Sequence, residues 1–354
     1  MDEKIRKILL HNEQHMKQYE MFRNQTVFIT GATGLIGNAA IKMFMDMNEM
    51  YQINVHVVAM ARNLGKVKAC FKPYMDHAWF SYYIGDVNQP IDYDGEIDYI
   101  IHGAGVTGGS KKHIEYPVRT IQTAYIGTTH LLELGREKCV KGFVYLSSLE
   151  VYGKMDMADV RIKEQDQGYL DCTNIRSSYS ESKRMCECLC ASYASQYEVP
   201  VRIARLTATF GPGVQYEDGR VFAQFARSII NKENIVLKST GETVRNYCDV
   251  RDAVSGIMTL LVGGVSGEAY NIANESTGIS IKEMAKLFVT LYQETGAKVI
   301  FDLAEDITKL GYNQTVKVQL NSKKLQQLGW QPCVPFEDTI VDLVESMRNQ
   351  NEYR

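Results

Sequence analysis

The stretch Thr26-Val27-Phe28-Ile29-Thr30-Gly31-Ala32-Thr33-Gly34-Leu35-Ile36-Gly37 decides the fold. A short β-rich run, Thr26–Thr30, passes directly into three glycines set three residues apart, and the helical stretch Asn38–Met47 follows. Gly31 permits a tight turn, Gly34 lets the backbone approach a phosphate, and Gly37 lets helix and strand pack closely. A helix N-terminus also offers unpaired N–H groups and a positive dipole end to an anion. Thr30, Gly31, Gly34, Leu35, Ile36 and Gly37 are thus the expected cradle of a dinucleotide pyrophosphate.

Working outward, further runs with strand character lie at Ile53–Ala59, Phe80–Gly85, Tyr99–His102, Phe143–Ser147 and Val201–Leu206. Most are almost continuously apolar, as strands buried on both faces of a parallel sheet must be. Val118–Lys138 and Ser177–Tyr197 are long enough to be crossover helices. The pattern predicts an α/β fold, a Rossmann-type doubly wound parallel sheet. Residues 1–23 carry Ile5, Leu9, Met16, Tyr19 and Phe22 at roughly helical spacing and predict a leading helix. Residues 24–210 form the dinucleotide-binding domain. Residues 211–354 predict a smaller C-terminal α/β domain, interleaved with the first because no Gly/Ser linker separates them. In it, strands Ile235–Lys238 and Ala269–Ile272 alternate with helical stretches at Arg220–Asn231, Ile281–Thr295 and Glu337–Arg348.

Composition narrows the class. The 354 residues are 45% hydrophobic, and 39 Lys+Arg against 42 Asp+Glu leave a net charge of -3. That balance argues against a nucleic-acid partner, which draws a basic excess, and the apolar content argues against disorder. No apolar run approaches the roughly 20 residues of a membrane helix, so no membrane partner is expected. The opening Met-Asp-Glu-Lys lacks a signal-peptide core, and a cytoplasmic location is the expectation. Eight cysteines show no paired framework. Within Cys186, Cys188 and Cys190, only the first and third share a helical face, so packed free thiols are expected and no metal.

The end of the second strand is where NAD enzymes place an acid for the ribose hydroxyls. Here Arg62 stands, with Lys66 close behind. A cation suits a 2′-phosphate, so NADP and NAD are both open as the cofactor. Farther on, Tyr179 and Lys183 lie four apart on one helical face. A phenol is a poor base at neutral pH, and a neighbouring ammonium together with a nicotinamide cation favours the phenolate, which makes Tyr179 a candidate acid/base. Ser147-Ser148 end the preceding strand and bring a hydroxyl toward the same place.

These motifs together resemble one family. Thr30-Gly-x-x-Gly-x-x-Gly37, Asp86-Val87, His102-Gly-Ala104, Ser148-x-x-x-Tyr152-Gly153 and Tyr179-x-x-x-Lys183 are similar to the extended short-chain dehydrogenases/reductases, in particular the NAD(P)-dependent nucleotide-sugar epimerases, dehydratases and decarboxylases. The resemblance runs from about Gln25 to Leu328-Gly-Trp-Gln-Pro332. It implies that Asp86 and Val87 flank the adenine and that Ala104 lines the nicotinamide end. It implies a catalytic triad of Ser148, Tyr179 and Lys183, with the last two also touching the cofactor. Arg245 matches the arginine that pairs with the nucleotide diphosphate, and Arg220 is a second substrate-binding candidate. Glu150 matches a carboxyl of the dehydratase and decarboxylase subgroups and would be the second catalytic acid/base. The implied substrate is a nucleotide sugar that passes through a transient ketone.

The stretches Asn174–Lys183, Arg202–Leu206 and Asp218–Val221 look most like UDP-glucuronate decarboxylases. Three features depart from that pattern: Leu149 replaces a Ser, Ala208 replaces an Asn, and His102-Gly-Ala-Gly-Val-Thr lacks a Ser-Pro repeat. The alternatives are an NADPH-dependent reductase of a keto-sugar or polyol derivative and a non-enzymatic dinucleotide sensor. By resemblance the two long helices also form a homodimer interface, with Ile121, Tyr125, Leu132 and Leu134 on one and Met185, Leu189, Tyr193 and Tyr197 on the other. If Arg62 reads a 2′-phosphate, Arg62→Ala lowers the preference for NADP, measured as the ratio of KM values for NADP and NAD. An unchanged ratio removes Arg62 from cofactor selection.

Overall fold

Seven parallel strands form the central sheet: β1 (Thr26–Thr30), β2 (His56–Ala61), β3 (Phe80–Ile84), β4 (Tyr99–His102), β5 (Gly142–Ser148), β6 (Val201–Leu206) and β7 (Ala269–Ile272). Their order is β7-β6-β5-β4-β1-β2-β3, the doubly wound Rossmann arrangement expected. The structure, a computed structural model, describes residues 3, 8, 13–106, 110–155, 161–303 and 317–352. The order reverses between β1 and β4, where Thr30 lies opposite His102. Ligands of such sheets bind in the crevice that opens beyond the strand ends at this reversal.

The named helices are α1 (Leu35–Tyr51), α2 (Ser110–Glu115), α3 (Pro117–Glu137), α4 (Ser178–Tyr197), α5 (Val221–Ile230), α6 (Val250–Gly263), α7 (Ile281–Leu291) and α8 (Phe336–Glu352). On one face of the sheet, α1 and α6 bury Phe44, Met47, Ile257 and Leu260 against Val57, Ile101 and Val144. On the other, α3 and α4 bury Leu131, Cys186 and Cys190 against Ile100, Phe143 and Val201. Cys186 and Cys190 are packed core thiols, while Cys188 is exposed.

β2 starts three residues later than its apolar run suggests. Asn48 explains this: its side chain donates to the Val55 carbonyl (2.8 Å) and accepts from the Val55 N–H (2.8 Å). Asn54 also takes a left-handed φ of 56°. Residues 53–55 are therefore a connector tied to α1 rather than part of the ladder.

The chain after residue 211 contributes to both layers. Phe210, Phe222, Ile229, Phe288, Ile340 and Leu343 build a second core, in which Phe210 and Phe222 stack 4.6 Å apart. Yet β7 pairs with β6, and α6 covers the first sheet. At the other end of the chain a helix spans Glu13–Glu20, with Tyr19 and Phe22 buried. Phe22 meets the edges of Phe44 (5.2 Å) and Tyr99 (5.1 Å). Ile5 and Leu9 lie outside the described residues. No described helix is long and apolar enough to cross a membrane.

Asp252, fully buried in the first turn of α6, ties that helix to the segment Trp330–Val334. Its carboxylate accepts from the N–H groups of Cys333 (3.0 Å) and Val334 (3.1 Å). Its carbonyl accepts from the buried Trp330 indole (3.1 Å). Burial pushes the carboxyl pKa up to about 6. The folded state thus holds this proton more tightly than the unfolded chain, whose ordinary value is about 3.9. Its stabilisation is full below that ordinary value and is lost as pH rises to about 6, by about 2–3 kcal/mol. In Asp252→Asn that loss disappears, so urea unfolding should show wild type falling relative to the variant between about pH 4 and 6. A difference independent of pH contradicts this role.

Candidate active site

The glycine turn sits at the sheet reversal. Gly31 has φ +68°, and a Cβ there would meet the Gly103 carbonyl carbon and oxygen at 2.7 Å. A side chain is therefore excluded both by the left-handed backbone and by the next strand. Gly37 is equally constrained, since a Cβ would lie 2.5 Å from the Gly31 oxygen. Gly34 is the N-cap of α1, and its own N–H donates to Gly31 O (2.9 Å). The N–H groups of Leu35, Ile36 and Gly37 then form the first turn of a seventeen-residue helix, where no intrahelical acceptor exists. The Thr30 hydroxyl is fully buried and faces its neighbours: it bonds His102 Nδ1 (2.8 Å) and accepts from the Ala104 N–H (3.1 Å). Burial holds His102 neutral, with its pKa down to about 3. Thr30 thus fixes the two loops that flank the crevice.

Arg62 and Asp86 follow β2 and β3 on the same rim. The Gly85 N–H donates to Ala61 O (3.1 Å), which brings the two ends side by side. Arg62 is exposed; Asp86 accepts from the Asn88 backbone (3.0 Å) and side-chain amide (2.7 Å). Val87 is buried, and its carbonyl bonds His130 (2.8 Å).

Across the crevice, β5 ends at Ser148, which N-caps a 3₁₀ turn at Leu149–Tyr152 and accepts from the Glu150 N–H (3.2 Å). Ser148 also hydrogen-bonds the Tyr179 phenol at the start of α4. One turn on, Lys183 donates to the Leu146 carbonyl (2.6 Å), and its ammonium lies 4.6 Å from the Tyr145 ring centre and 5.9 Å from that of Tyr179. Ser148, Tyr179 and Lys183 therefore converge. Ser147 points away, donating to Glu187 (2.5 Å) in the interior.

Lys183 and a nicotinamide cation together were expected to lower the Tyr179 pKa; in the protein alone Lys183 does not do so, and burial pushes the phenol up to about 12. Ser148 and Arg220 work against that rise, while Glu150 adds to it. Lys183 is occupied by Leu146 O, and its own pKa is lowered by burial. The free phenol is consequently protonated at neutral pH.

Glu150 stands between this triad and Arg245, whose guanidinium lies 3.9 Å from its carboxylate. Arg245 Nε is buried and has no hydrogen-bond partner among the described residues. Arg220 is half engaged: it bonds Asp218 (2.7 Å) and the Thr209 carbonyl (3.3 Å) and lies over the Phe222 ring, with 41% of its side chain exposed. Both arginines thus come from the C-terminal region to the triad's side of the crevice.

Several positioning groups gave no signal in the sequence. Arg184, next to Lys183, donates to Val151 O (2.6 Å) and Gly168 O (2.8 Å), clamping the Glu150 turn onto α4. Glu187 and Arg205 form a largely buried pair (2.7 Å), and Arg205 also reaches Tyr152 (3.1 Å). His113 stacks on Tyr179, with ring centres 4.4 Å apart. Spacing alone marks none of the four as special.

Comparison with known proteins gives the family. Residues 27–273 match the model of the NAD dependent epimerase/dehydratase family. A UDP-glucuronic acid decarboxylase of Xenopus tropicalis is 28% identical over 93% of this chain and 73% of its own. The dTDP-D-glucose 4,6-dehydratase of Bos taurus is 30% identical over 72% of this chain and 68% of its own. An epimerase of Methanothermobacter thermautotrophicus has the same fold, with a TM-score of 0.80, 20% identity and 96% of each chain covered. With a glycine turn, a Ser-Tyr-Lys cluster and a match over most of its length, the chain belongs to the NAD dependent epimerase/dehydratase family of enzymes.

Proposed function

We propose that the protein converts a nucleotide sugar through a transient keto-sugar, with Ser148, Tyr179 and Lys183 serving the oxidation and Glu150 the step that follows. The carrying observation is that Glu150, on the turn capped by Ser148, lies near enough to the Tyr179 phenol to raise its pKa and 3.9 Å from Arg245.

The crevice suits NAD. Its side-chain-free turn at Gly31 and Gly34 and the donors of Leu35–Gly37 fit a pyrophosphate, Asp86 and Val87 fit the adenine side, and Ala104 the nicotinamide side. When bound, NAD supplies a hydride acceptor and a positive charge that favours the Tyr179 phenolate. The chain's own part is then proton transfer. Tyr179 takes the proton of the sugar hydroxyl as that carbon is oxidised, and Ser148 holds the same oxygen by a hydrogen bond. Lys183 holds the cofactor's ribose and adds positive charge near the phenol. Arg245 and Arg220 offer guanidinium forks to the diphosphate, whose two phosphates match that donor geometry. Glu150 is placed to move a proton beside the ketone, or to assist loss of water or carboxylate. Relatives that are decarboxylases and dehydratases support that role for it.

The exposed Arg62 at the rim keeps an NADPH-dependent reductase as the second reading. The two differ in bookkeeping: the first regenerates its cofactor within each turnover, and the second consumes it.

A homodimer through α3 and α4 belongs to the same reading. Ile121, Tyr125, Met185 and Tyr197 are exposed there, whereas Leu132, Leu134 and Tyr193 are buried within the protomer. A dimer mass at micromolar concentration is expected in light scattering, and a protomer mass overturns it.

The activity test supplies NAD with UDP-glucuronic acid, UDP-glucose and dTDP-glucose and follows product mass together with absorbance of reduced nicotinamide. The expected result is turnover of one sugar nucleotide without steady accumulation of the reduced form. Tyr179→Phe should lower kcat by about 10²-fold or more, as loss of a general base does. Glu150→Gln should leave the oxidation running and let the keto-sugar build up. Wild-type turnover by Tyr179→Phe, or stoichiometric consumption of NADPH, contradicts the proposal.

A further inference from the structure

His113 is the one aromatic group laid flat against the Tyr179 ring among the described contacts, with ring centres 4.4 Å apart and planes 24° apart. It comes from α2, in the connection between β4 and α3. The side chain is only 8% exposed, so the stack is a packed contact and not a surface encounter. Two bonds hold it in place. The Thr120 hydroxyl donates to Tyr116 O (2.9 Å), so its oxygen is left to accept from His113 Nδ1 (3.4 Å). A hydroxyl has one proton to give, and this assigns the proton of the neutral imidazole to Nδ1. The second ties the His113 backbone to α4: Ser178 Oγ, one residue before Tyr179, donates to His113 O (3.3 Å).

We infer that His113 is a positioning residue for Tyr179: its imidazole face fixes the plane of the phenol, keeps the hydroxyl toward Ser148, and shields that face from water. The inference rests on the reading of Tyr179 as the acid/base. The charged groups facing His113 are Glu150 and Lys183, which act on it in opposite directions, and burial lowers its basicity. The ring is therefore neutral at neutral pH and adds no second cation beside Lys183. What it supplies is a flat surface. A tyrosine ring has few other restraints on its tilt, since χ2 is a broad torsion. Small misplacement of a catalytic group is costly, up to about 10²-fold in rate.

The test compares His113→Phe, which keeps a flat ring, with His113→Leu, which keeps apolar volume without one. Each is assayed as full-length protein, with NAD and whichever of the three sugar nucleotides wild type turns over. The leucine variant should lose roughly ten-fold or more in kcat with little change in KM. The midpoint of its kcat–pH profile should also move. The phenylalanine variant should restore most of the rate and the wild-type midpoint. Equal rates for the two variants overturn the inference, as does a change confined to KM. Tyr179→Phe separates the two levels: if it is inactive while Leu and Phe match, only the stacking role fails; if it is fully active, the acid/base reading fails first.

Discussion

The contact on which the site depends is the approach of Gly31 to Gly103. The left-handed turn after β1 lies so close to the chain leaving β4 that even a methyl group would overlap its backbone. That proximity exists only because β1 and β4 are neighbours at the reversal of the sheet. Once it is set, α1 must begin at the crevice with its free N–H groups directed there, and Gly37 must carry no side chain. The buried Thr30–His102 bond seals the same junction from behind. On the proposed reading, the dinucleotide's phosphates are held at this turn by backbone placement. A net charge of -3 is no obstacle to it.

The opposite wall is built by α4. Tyr179 and Lys183 lie on its crevice face; Glu187, one turn beyond Lys183, reaches Arg205, and Arg184 reaches the Glu150 turn. Arg205 lies on β6 and touches Tyr152 of that turn. The turn that carries Ser148 and Glu150 is thus held against α4 and β6 by these bonds. A largely buried ion pair of this kind is costly to break from one side, because the remaining charge stays uncompensated. It holds geometry more than it adds stability.

Much of this was legible before any coordinates. Apolar runs located six of the seven strands of the parallel sheet, most of them buried on both faces; Ala269–Ile272 was expected in the C-terminal domain but pairs with β6. The glycine spacing located the turn from β1 into α1, because close backbone approach leaves only one residue type. Legibility ended where side chains act through partners distant in sequence. The first residues predicted for β2 were claimed by Asn48, whose amide imitates a strand neighbour. The Tyr179–Lys183 spacing was read as a lowered phenol pKa, but spacing carries no information on burial, and burial dominates. His113 stands in a polar segment with nothing to mark it, and its stack depends on how α2 meets α4.

The central claim is that the crevice beside Gly31 holds NAD as a resident cofactor. The most direct measurement is to denature the purified protein and identify the released dinucleotide by mass. This account predicts NAD in amounts approaching one per chain. Release of NADP, or of no dinucleotide from a protein that also fails to bind added NAD, would contradict it.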